Sequence, residues 1–517
     1  MTNNRLAAID IGTNSIRSIV VETESSGKFR VLDDEKATVR LGEGLNETGL
    51  LSAEACERAI TALQLQKKII DGYGVRSIEA VATSAVRKAA NGKAFIAAVK
   101  KRVGLAISVI SGEEEAELAA LSAFNNFDVE GSRHLLVDIG GGSLELVTTV
   151  GRLVEEIYSL DLGAVYLSET FLKGETPGAK AHNRLRRHIR KTLKETFPEG
   201  RPTVSAVIGS GGTVTSIAAM VLAGRKEGYG SAHGYEILRS DIVHLLAMLQ
   251  RKSLKELRSV PGLNPDRADI IVAGVMVIDE LLEFCQTNLL MVNERGIREG
   301  LILRGLRKHG MLPPEHAPRN WRESALGFAD SCHIERTHSM QVARLSLEIF
   351  HALARPYGLG ERERRILEAA AILHDVGYFI NYSGHHKHSY HLIRHADLFG
   401  FTPRERELIA NVARYHRKAL PKRKHEEFMR LSVADRQIVS RLGGILRLAD
   451  GLDRSRTGMV TIAEPLLSPS RLVLRLKGSG DLAVEIFGAT SKSDLFCSAF
   501  DLKLVLEPVE GPSQALK

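Results

Sequence analysis

AAIDIGTNSIRSIVVE, residues 7–22, returns later in the chain as LLVDIGGGSLELVTTV, residues 135–150. Each stretch contains an apolar, β-rich run, the tripeptide Asp-Ile-Gly, a few small polar residues and a second β-rich run. Small residues between two such runs favour a tight turn, with the runs as the strands of a hairpin. The repeat therefore predicts two related α/β halves, which we place at residues 1–125 and 126–310.

The segments around the hairpins alternate between helix and strand patterns. We predict a helix at 52–73, opened by Ser52 as its N-cap, and a strand at 77–83. After the second copy, we predict a strand at 204–208 that leads into a helix. The same order in both halves supports a duplicated α/β architecture.

The residue composition and the hydrophobic periodicity of the sequence change after the second half. MLPPEHAPRN at 311–320 is a proline-bearing connector, and the residues that follow are helical in period and rich in histidine. After residue 455, the stretches MVTIAEPL, RLVLRLKG, LAVEIFG and FDLKLVLEP alternate β-branched and polar residues, which predicts strands. We therefore expect an all-α domain at 311–455 and a small β-rich segment at 456–517.

Composition and charge limit the possible classes of protein. The chain has 517 residues, of which 44% are hydrophobic, so a disulfide mini-protein and a disordered chain are excluded. It has no apolar run long enough to cross a bilayer and no signal-type segment, so we expect no membrane span and a cytoplasmic location. The net charge of +8 favours a polyanionic partner, and charge alone does not choose among nucleic acid, anionic lipid and a phosphate polymer.

Three glycine-rich loops have the pattern of phosphate binding. DIGTNS and DIGGGS each place an Asp at a strand end, followed by glycines whose N–H groups can approach an anion and by hydroxyl donors. IGSGGTVTS at 208–216 leads into a helix N-terminus. A single glycine cluster is more often a plain turn, but the paired loops favour a phosphate cleft between the halves. The candidate phosphate-binding residues are Gly12, Thr13, Asn14, Ser15, Gly140, Gly141, Gly142, Ser143, Gly211, Gly212 and Thr213.

Carboxylates near these loops suggest water activation. Glu115 belongs to a run of three glutamates at a helix start, where negative charge is also favoured by the helix dipole alone. Glu145 follows the second loop directly, and water attack on phosphorus needs a positioned base. Arg87 is a candidate to bind the transferred phosphoryl group, although it is equally a candidate for an exposed arginine. Asp10 and Asp138 either hold Mg²⁺ or cap strand ends.

These motifs resemble the exopolyphosphatase and guanosine pentaphosphate phosphohydrolase (Ppx/GppA) family. The matching segments span about 5–305 in the family's order: AIDIGTNSIR, ATSAVRKA, ISGEEEAEL, LLVDIGGGSLELV, LGAVYLSE, GSGGTVTSIA, NPDRADIIVAG and NERGIREGL. The resemblance implies the two-lobed fold of actin, heat-shock chaperones and sugar kinases (ASKHA). It also implies Glu115 and Glu145 as catalytic carboxylates, Asp138 at the metal, and Asn14, Ser15, Arg87 and Gly140 to Ser143 at phosphate. Consecutive glutamates leave Glu114 as the alternative to Glu115.

The resemblance continues into the helical region. THSMQVARL, AAILHDVGYFINYSGHHKHSYHLI, ARYHRKALPK and LRLADGLDRS are similar to the HD-like domain of the family's longer members. HD phosphohydrolases hold their metal with a His, a His-Asp pair and a later Asp, which correspond here to His338, His374, Asp375 and Asp450. Family members often lack the full set and use this domain for substrate binding and dimerisation. The intact set predicts a second site for a transition metal, with buried core histidines as the alternative.

Taken together, the residues and the resemblance predict a Mg²⁺-dependent enzyme that removes terminal orthophosphate processively from inorganic polyphosphate. The resemblance also implies a homodimer, and we expect no DNA partner. Guanosine pentaphosphate 5′-phosphohydrolase is the nearest alternative, because it would use the same site. An actin-like sugar or acid kinase, catalysis by the HD-like domain on nucleotides, and a non-enzymatic polyphosphate-binding regulator are the others.

Overall fold

A computed structural model describes residues 4–23, 29–174, 176–228, 231–311, 320–478 and 481–509. The chain divides into two compact units, one covering most of residues 1–318 and the other residues 319–517. Most of the connector predicted at 311–320 lies outside the described residues, as does the end of the segment predicted at 456–517. The division into four domains stays a prediction. No helix among the described residues is long and apolar enough to cross a bilayer.

Lobe I of the first unit is a five-stranded sheet built on the first Asp-Ile-Gly hairpin. Its strands are β1 (Arg5–Ile11), β2 (Ser15–Thr23), β3 (Phe29–Thr38), β4 (Ser77–Ala82) and β5 (Ser108–Val109). Its helices are α1 (Leu45–Thr48), α2 (Ala53–Gly72), α3 (Ser84–Lys88), α4 (Gly92–Val103) and α5 (Gly112–Asn126). The strand order is β3-β2-β1-β4-β5, with β1 and β2 antiparallel. The Ser52 side chain accepts the N–H of Ala55, which confirms the predicted cap of α2.

Lobe II repeats this topology. Its strands are β6 (Arg133–Ile139), β7 (Leu144–Val150), β8 (Leu153–Leu160), β9 (Ala206–Ser210), β10 (Glu236–Leu238) and β11 (Leu289–Val292). The helices from here to the end of the unit are α6 (Ala164–Phe171), α7 (Ala179–Thr196), α8 (Gly212–Arg225), α9 (Arg239–Leu249), α10 (Leu254–Leu257), α11 (Ile271–Cys285) and α12 (Ile297–Lys308), with a 3-10 turn at Pro265–Arg267. The order β8-β7-β6-β9-β11 matches the order in lobe I, with β10 added at the edge. The predicted duplicated α/β fold is therefore confirmed.

Helices α5 and α12 join the two lobes. Leu301 and Leu306 of α12 are buried in the same cluster as Leu6 and Val81 of the lobe I sheet. Helix α5 contributes Leu118 and Ala119 to that cluster, while its Ala116, Ala120 and Ala123 pack against Leu136, Val147 and Ile208 of lobe II. This packing places α12 with lobe I, whereas the sequence analysis assigned residues 126–310 to lobe II.

The second unit is helical with a three-stranded sheet. Its elements are α13 (Trp321–Ser331), α14 (Arg336–Tyr357), α15 (Glu361–Leu373), a 3-10 turn (Val376–Phe379), α16 (His385–His395), α17 (Pro403–Arg414), α18 (Glu426–Met429), α19 (Val433–Gly451), β12 (Thr461–Ser468), β13 (Arg471–Lys477), α20 (Ala483–Ser491), α21 (Asp494–Phe500) and β14 (Lys503–Pro508). Leu472 and Leu474 of β13 are buried in one cluster with Leu442 of α19 and Phe496 of α21. The strands therefore share the core of the helices.

The prediction of a strand at LAVEIFG, residues 482–488, is wrong. This stretch lies in helix α20, and it is followed by helix α21. The reason is topological: β13 and β14 pair in parallel, with Leu472 opposite Leu504, and parallel neighbours require a crossover connection. The two helices form that crossover, so the segment after residue 455 is mixed rather than purely β.

Candidate active site

The three glycine-rich loops of the first unit line one cavity of about 110 Å³. The first loop follows β1, the second follows β6 and the third joins β9 to α8. The aspartates of the two Asp-Ile-Gly tripeptides, Asp10 and Asp138, both lie in the wall of this cavity. The predicted phosphate-binding residues that line it are Gly12, Thr13, Asn14, Ser15, Gly140, Gly141, Gly142, Ser143, Gly211 and Gly212.

Close backbone approach explains two of the glycines. A Cβ atom on Gly142 would lie 2.6 Å from Ser84 Oγ and 2.8 Å from Thr13 Oγ1, so a side chain there would push the loops of the two lobes apart. Gly211 has a φ of +92°, and a Cβ atom on it would lie 2.5 Å from the carbonyl oxygen of Ile139. The cavity therefore keeps its narrow shape because these positions carry no side chain.

Thr213 does not line the cavity, although it belongs to the predicted phosphate-binding set. Its side chain is fully buried, and its hydroxyl accepts a hydrogen bond from Arg267 at 3.3 Å. Thr215, two residues later in α8 and half-buried, lines the cavity instead. The structure thus gives Thr213 a contact with an arginine of the site rather than a place in the cavity wall.

Glu115 and Glu114 have different environments. The Glu115 side chain is buried, lines the cavity and accepts a hydrogen bond from Arg87 Nη1 at 3.2 Å. Glu114 points away, because its carboxylate accepts the N–H of Ser111 at 2.9 Å in a capping box. Arg87 also donates to the carbonyl of Ile110 at 2.8 Å and is absent from the part of the cavity wall that the structure describes.

Glu145 lies behind the second loop. It is opposite Asp138 in the β6–β7 register, so both side chains lie on the same face of the lobe II sheet. Its Oε1 accepts from Ser159 Oγ at 3.1 Å, and its buried Oε2 has no hydrogen-bond partner among the described residues. Burial raises the pKa of Glu145 to about 8.

The two glutamates influence each other. Burial raises the pKa of Glu115 well above its ordinary value, the charge of Glu145 raises it further, and Arg87 opposes both effects. A buried carboxyl with a raised pKa is suited to accept a proton at neutral pH. Glu115 and Glu145, both buried, and the partly buried Arg87 therefore form one group of interacting charges beside the phosphate loops.

Asp10 and Asp138 fit a divalent cation. Burial raises the pKa of Asp10 to about 6 and that of Asp138 to about 7, and the charge of Asp10 adds to the shift at Asp138. Oδ1 of Asp10 is buried and has no hydrogen-bond partner among the described residues. A cation between the two carboxylates would offset both penalties, and Mg²⁺ prefers one or two carboxylates together with phosphate oxygens.

Arginines complete the cavity wall, and the sequence analysis missed them. Arg17, Arg267, Arg295 and Arg298 all line it. Burial lowers the pKa of Arg267 to about 10, with the charge of Arg17 adding to the effect, and within the described ranges neither of these two forms an ion pair with a carboxylate. Guanidinium groups that have no carboxylate partner, here the buried Arg267 and the half-buried Arg17, are suited to bind phosphate. The repeat could have indicated Arg17, because Arg17 in the first copy aligns with Glu145 in the second copy.

The residues predicted as a second metal site also come together, in the second unit. The four side chains lie close together, although they come from different helices: His338 from α14, His374 and Asp375 from the end of α15, and Asp450 from α19. The distance from His338 Nε2 to Asp450 Oδ1 is 3.6 Å. Two histidines that the sequence analysis did not select, His385 and His416, lie in a second group with Asp375. A cavity of about 550 Å³ opens onto this cluster.

The duplicated α/β fold, the phosphate-type loops and the buried carboxylates define a protein that handles phosphate groups, and the comparison with known families gives the class. Residues 19–309 match the model of the Ppx/GppA phosphatase family, and residues 322–479 match the model of Ppx/GppA phosphatase domain III. The chain belongs to the Ppx/GppA phosphatase family, and it is a hydrolase.

Solved structures agree with this assignment. A Ppx/GppA family member from Aquifex aeolicus is 30% identical, with a TM-score of 0.52, over 60% of this chain and 99% of its own. An exopolyphosphatase from Cytophaga hutchinsonii is 27% identical, with a TM-score of 0.55, over 58% of this chain and 98% of its own. The family resemblance inferred from the sequence is therefore confirmed.

Proposed function

We propose that the protein is an exopolyphosphatase that releases terminal orthophosphate from inorganic polyphosphate, processively and with Mg²⁺. The observation that carries the proposal is the buried pair of Glu115 and Glu145, with Arg87, beside the glycine loops. Phosphoryl transfer to water needs positioning and neutralisation of charge more than covalent chemistry. The cavity offers both.

Each group has a defined role in this proposal. Glu115 orients the attacking water and takes its proton, assisted by Glu145, and Arg87 holds Glu115 in place. Backbone N–H groups of the loops, with Arg17 and Arg267, bind the terminal phosphates. Asp138 and Asp10 hold Mg²⁺, which neutralises phosphate charge.

The lining of the cavity supports polyphosphate as substrate. Over the described residues, the wall consists of backbone, hydroxyl, carboxylate and arginine groups with a few isoleucines, and no aromatic ring is available to stack on a base. A repeating phosphate chain needs only the polar groups. The cavity therefore suits inorganic polyphosphate, in which every unit is a phosphate group.

A neighbouring cavity favours a second candidate, guanosine pentaphosphate 5′-phosphohydrolase. This cavity of about 240 Å³ shares Thr13 and Asn14 with the first, and its wall carries three carboxylates and two cations: Glu43, Glu169, Asp269, Arg40 and Lys173. Asp269 is paired with Arg40 and Glu43 with Arg58, whereas the Glu169 carboxylate can accept hydrogen bonds from the N–H groups of guanine. The nucleoside of the pentaphosphate would fit there while its phosphate chain enters the first cavity.

Orthophosphate release from long-chain polyphosphate and from guanosine pentaphosphate, each with Mg²⁺, tests both candidates. We expect faster release from polyphosphate, with the remaining polymer staying full-length as processive hydrolysis requires. A reversed preference would assign the protein to the nucleotide substrate instead. The ratio of kcat/KM for the two substrates is the deciding quantity.

Glu115→Gln tests the catalytic pair, and Glu114→Gln is its matched control. We expect Glu115→Gln to lower kcat by about 10²- to 10⁴-fold with polyphosphate binding retained, because a general base contributes that much. Gln at position 114 still serves a capping box, so that variant should keep its activity. Loss of activity in Glu114→Gln alone would identify Glu114, not Glu115, as the base. Full activity in both variants would contradict the proposed site. The homodimer and the cytoplasmic location stay predictions.

A further inference from the structure

We propose that Glu299, together with Asn126, positions the Arg295 guanidinium at the wall of the phosphate cavity. The inference rests on the function proposed above and adds to it, because Arg295 lines the cavity whereas Glu299 and Asn126 are absent from the part of the wall that the structure describes. Glu299 is therefore a positioning residue, which acts on the substrate through Arg295.

The short turn between β11 and α12 carries part of the cavity wall. Its residues 294–296 line the cavity, and a Cβ atom on Gly296 would lie 3.8 Å from Asp138 Oδ2. The Asn293 N–H donates to a carbonyl of β9 at 2.7 Å, and the Gly296 N–H donates to Ser122 Oγ of α5 at 3.1 Å. The turn is therefore anchored on both sides and lies close to the aspartate proposed to hold the cation.

Glu299 lies in the first turn of α12, and its side chain is buried. Four side-chain donors satisfy the two carboxylate oxygens: Ser122 Oγ at 2.8 Å and Asn126 Nδ2 on Oε2, and Asn125 Nδ2 at 3.2 Å and Arg295 Nη1 at 3.1 Å on Oε1. A glutamate at this place is also stabilised by the helix dipole. The dipole does not require a set of donors, three of which come from α5.

Arg295 is held at two points. Its Nη1 donates to Glu299 and, at 2.8 Å, to Asn126 Oδ1. Asn126 in turn donates to Glu299, so the three side chains form a closed ring of hydrogen bonds. The ring removes rotamer freedom from the arginine before a ligand arrives, so that binding does not have to remove it. A planar guanidinium with a fixed orientation is suited to phosphate oxygens.

Stability alone does not explain a buried ion pair at this place, because apolar side chains of similar volume usually stabilise a core as well. An orienting role does explain it. Helix α5 carries Glu115 in its first turn and the partners of Glu299 in its last turns. The same helix therefore fixes the proposed base and an arginine of the cavity wall relative to each other.

Glutamine at position 299 would disturb the ring in either orientation of its amide. An NH₂ group in place of Oε1 would face Arg295 Nη1, and one in place of Oε2 would face the NH₂ group of Asn126. Each orientation weakens one of the two contacts that hold the guanidinium. Removal of a negative charge would by itself strengthen the binding of a polyanion. Positioning and net charge therefore predict opposite changes in affinity.

Binding of inorganic tripolyphosphate with Mg²⁺, measured by isothermal titration calorimetry on the full-length protein, tests the proposal. Glu115→Gln serves as the parent protein, which slows hydrolysis during the titration. Adding Glu299→Gln or Asn126→Ala should raise the Kd about tenfold, the effect of one hydrogen bond to a charged group. In a parent that also carries Arg295→Ala, neither substitution should raise the Kd further, because both act through Arg295.

Glu79→Gln is the matched control, because the Glu79 carboxylate pairs with two cations at the far end of α12. It should leave the Kd unchanged. An unchanged or lowered Kd in Glu299→Gln, the same rise with and without Arg295, or no effect of Arg295→Ala would overturn the proposal. Asn126→Ala decides by the same criteria if Glu299→Gln does not fold.

Steady-state kinetics separate this inference from the proposed function. With Glu115 intact, Glu299→Gln should raise KM for polyphosphate and leave kcat nearly unchanged, whereas a disturbed fold would lower kcat. If the wild type releases no orthophosphate but the tripolyphosphate results hold, the exopolyphosphatase proposal is wrong and the positioning role stands. Orthophosphate release together with independent effects of Glu299 and Arg295 would contradict the positioning role alone.

Discussion

Arg17 and Glu145 occupy the same position in the two hairpins but carry opposite charges. Arg17 is opposite Asp10 in β1–β2, and Glu145 is opposite Asp138 in β6–β7. The Asp of lobe I therefore has a cation beside it, while the Asp of lobe II has a carboxylate. Burial raises the pKa of both aspartates, and the charges of Arg298 and Arg17 oppose that shift at Asp10. The exchange of Arg for Glu at one position of the repeat therefore gives the two hairpins opposite charges beside their aspartates.

Glu145→Gln should stabilise the metal-free protein, and more so at high pH. Burial raises the pKa of the folded Glu145 from 4.5 to about 8. The contribution of this group to stability is full below pH 4.5 and is lost as the pH rises through 8, because the buried carboxyl must then ionise. Glutamine carries no such charge. We expect the thermal midpoint of the variant, measured in chelator from pH 5 to about 9, to exceed that of the wild type by an amount that grows with pH.

Glu156→Gln is the control for that experiment, because Glu156 is an exposed residue of the neighbouring strand β8. Its midpoint should follow the wild type at every pH. A constant difference between Glu145→Gln and the wild type across the range would show that the carboxyl is not the group that titrates.

Arg267→Lys should weaken substrate binding. The buried guanidinium of Arg267 lines the cavity and donates to Thr213, and an ammonium group cannot reproduce its planar donor geometry. We expect kcat/KM for orthophosphate release to fall about tenfold or more, since a hydrogen bond to a charged group contributes about 1.5–3 kcal/mol. Arg258→Lys, at an exposed position, should have no effect on steady-state kinetics. An unchanged kcat/KM for Arg267→Lys would remove Arg267 from the binding site.

Residue types alone identified part of the site. The glycine loops and the aspartates could be recognised from the repeat, and Glu115 from its acidic run near the loops, with the resemblance agreeing. Arg267 could not be recognised, because a single arginine in a sequence usually lies on the surface and only the fold shows this one to be buried. His385 belongs to a stretch with several histidines, GHHKHSYH, and the sequence does not show which of them faces Asp375.

At the scale of elements, local pairing was predictable and distant pairing was not. The two hairpins follow from a turn and its flanking runs, so β1–β2 and β6–β7 were found. The alternation in LAVEIFG over seven residues fits a strand and a helix face equally, and the parallel pairing of β13 with β14 decides for the helix. The apolar pattern of α12 predicts a buried face but not which lobe covers it.

Gly300→Ala should destabilise the contact between α12 and α5. A Cβ atom on Gly300 would lie 2.2 Å from the carbonyl oxygen of Leu118, which is backbone of α5 and cannot move without shifting the helix. Overpacking of this kind costs about 1–3 kcal/mol. The free energy of unfolding in urea measures the effect.

Gly305→Ala is a matched control in the same helix. Its Cβ atom would meet only Leu6 and Glu79 side chains, at 3.7 Å and 3.8 Å, which are ordinary contacts. Because alanine also favours helix over glycine, this variant should be neutral or slightly stabilising. Equal losses in both variants would mean that the helix itself, and not its close approach to α5, determines the cost.

At the scale of the whole molecule, each unit has its own core and its own polar site. The first unit carries the carboxylates and phosphate loops, and the second carries the histidine cluster. The basic helix α7 is not freely available to a polyanion, because its Arg186 and Arg190 form ion pairs with Glu280. Charge counted along a sequence therefore exceeds the charge that a ligand can reach.

Mn²⁺ should stabilise the second unit whether or not Asp138 of the first unit is intact. An ion that binds the folded state raises its stability by about 2.7 kcal/mol at 100 times its Kd. In differential scanning calorimetry, we expect one transition to move upward with Mn²⁺ in the wild type and in Asp138→Asn, and not in His374→Ala. A shift that persists in His374→Ala would locate the binding elsewhere.

The return of α12 to the first sheet also bears on how the protein is synthesised. Lobe I begins at β1, yet the helix that covers Leu6 and Val81 ends only at Lys308. During translation, that apolar face has no cover from α12 until nearly all of lobe II has left the ribosome. Vectorial folding of the lobes, one after the other, is therefore ruled out for the finished core of lobe I. Until α12 emerges, α5 alone of these two helices covers that face, so part of the apolar surface stays exposed in the nascent chain for much of the unit's synthesis.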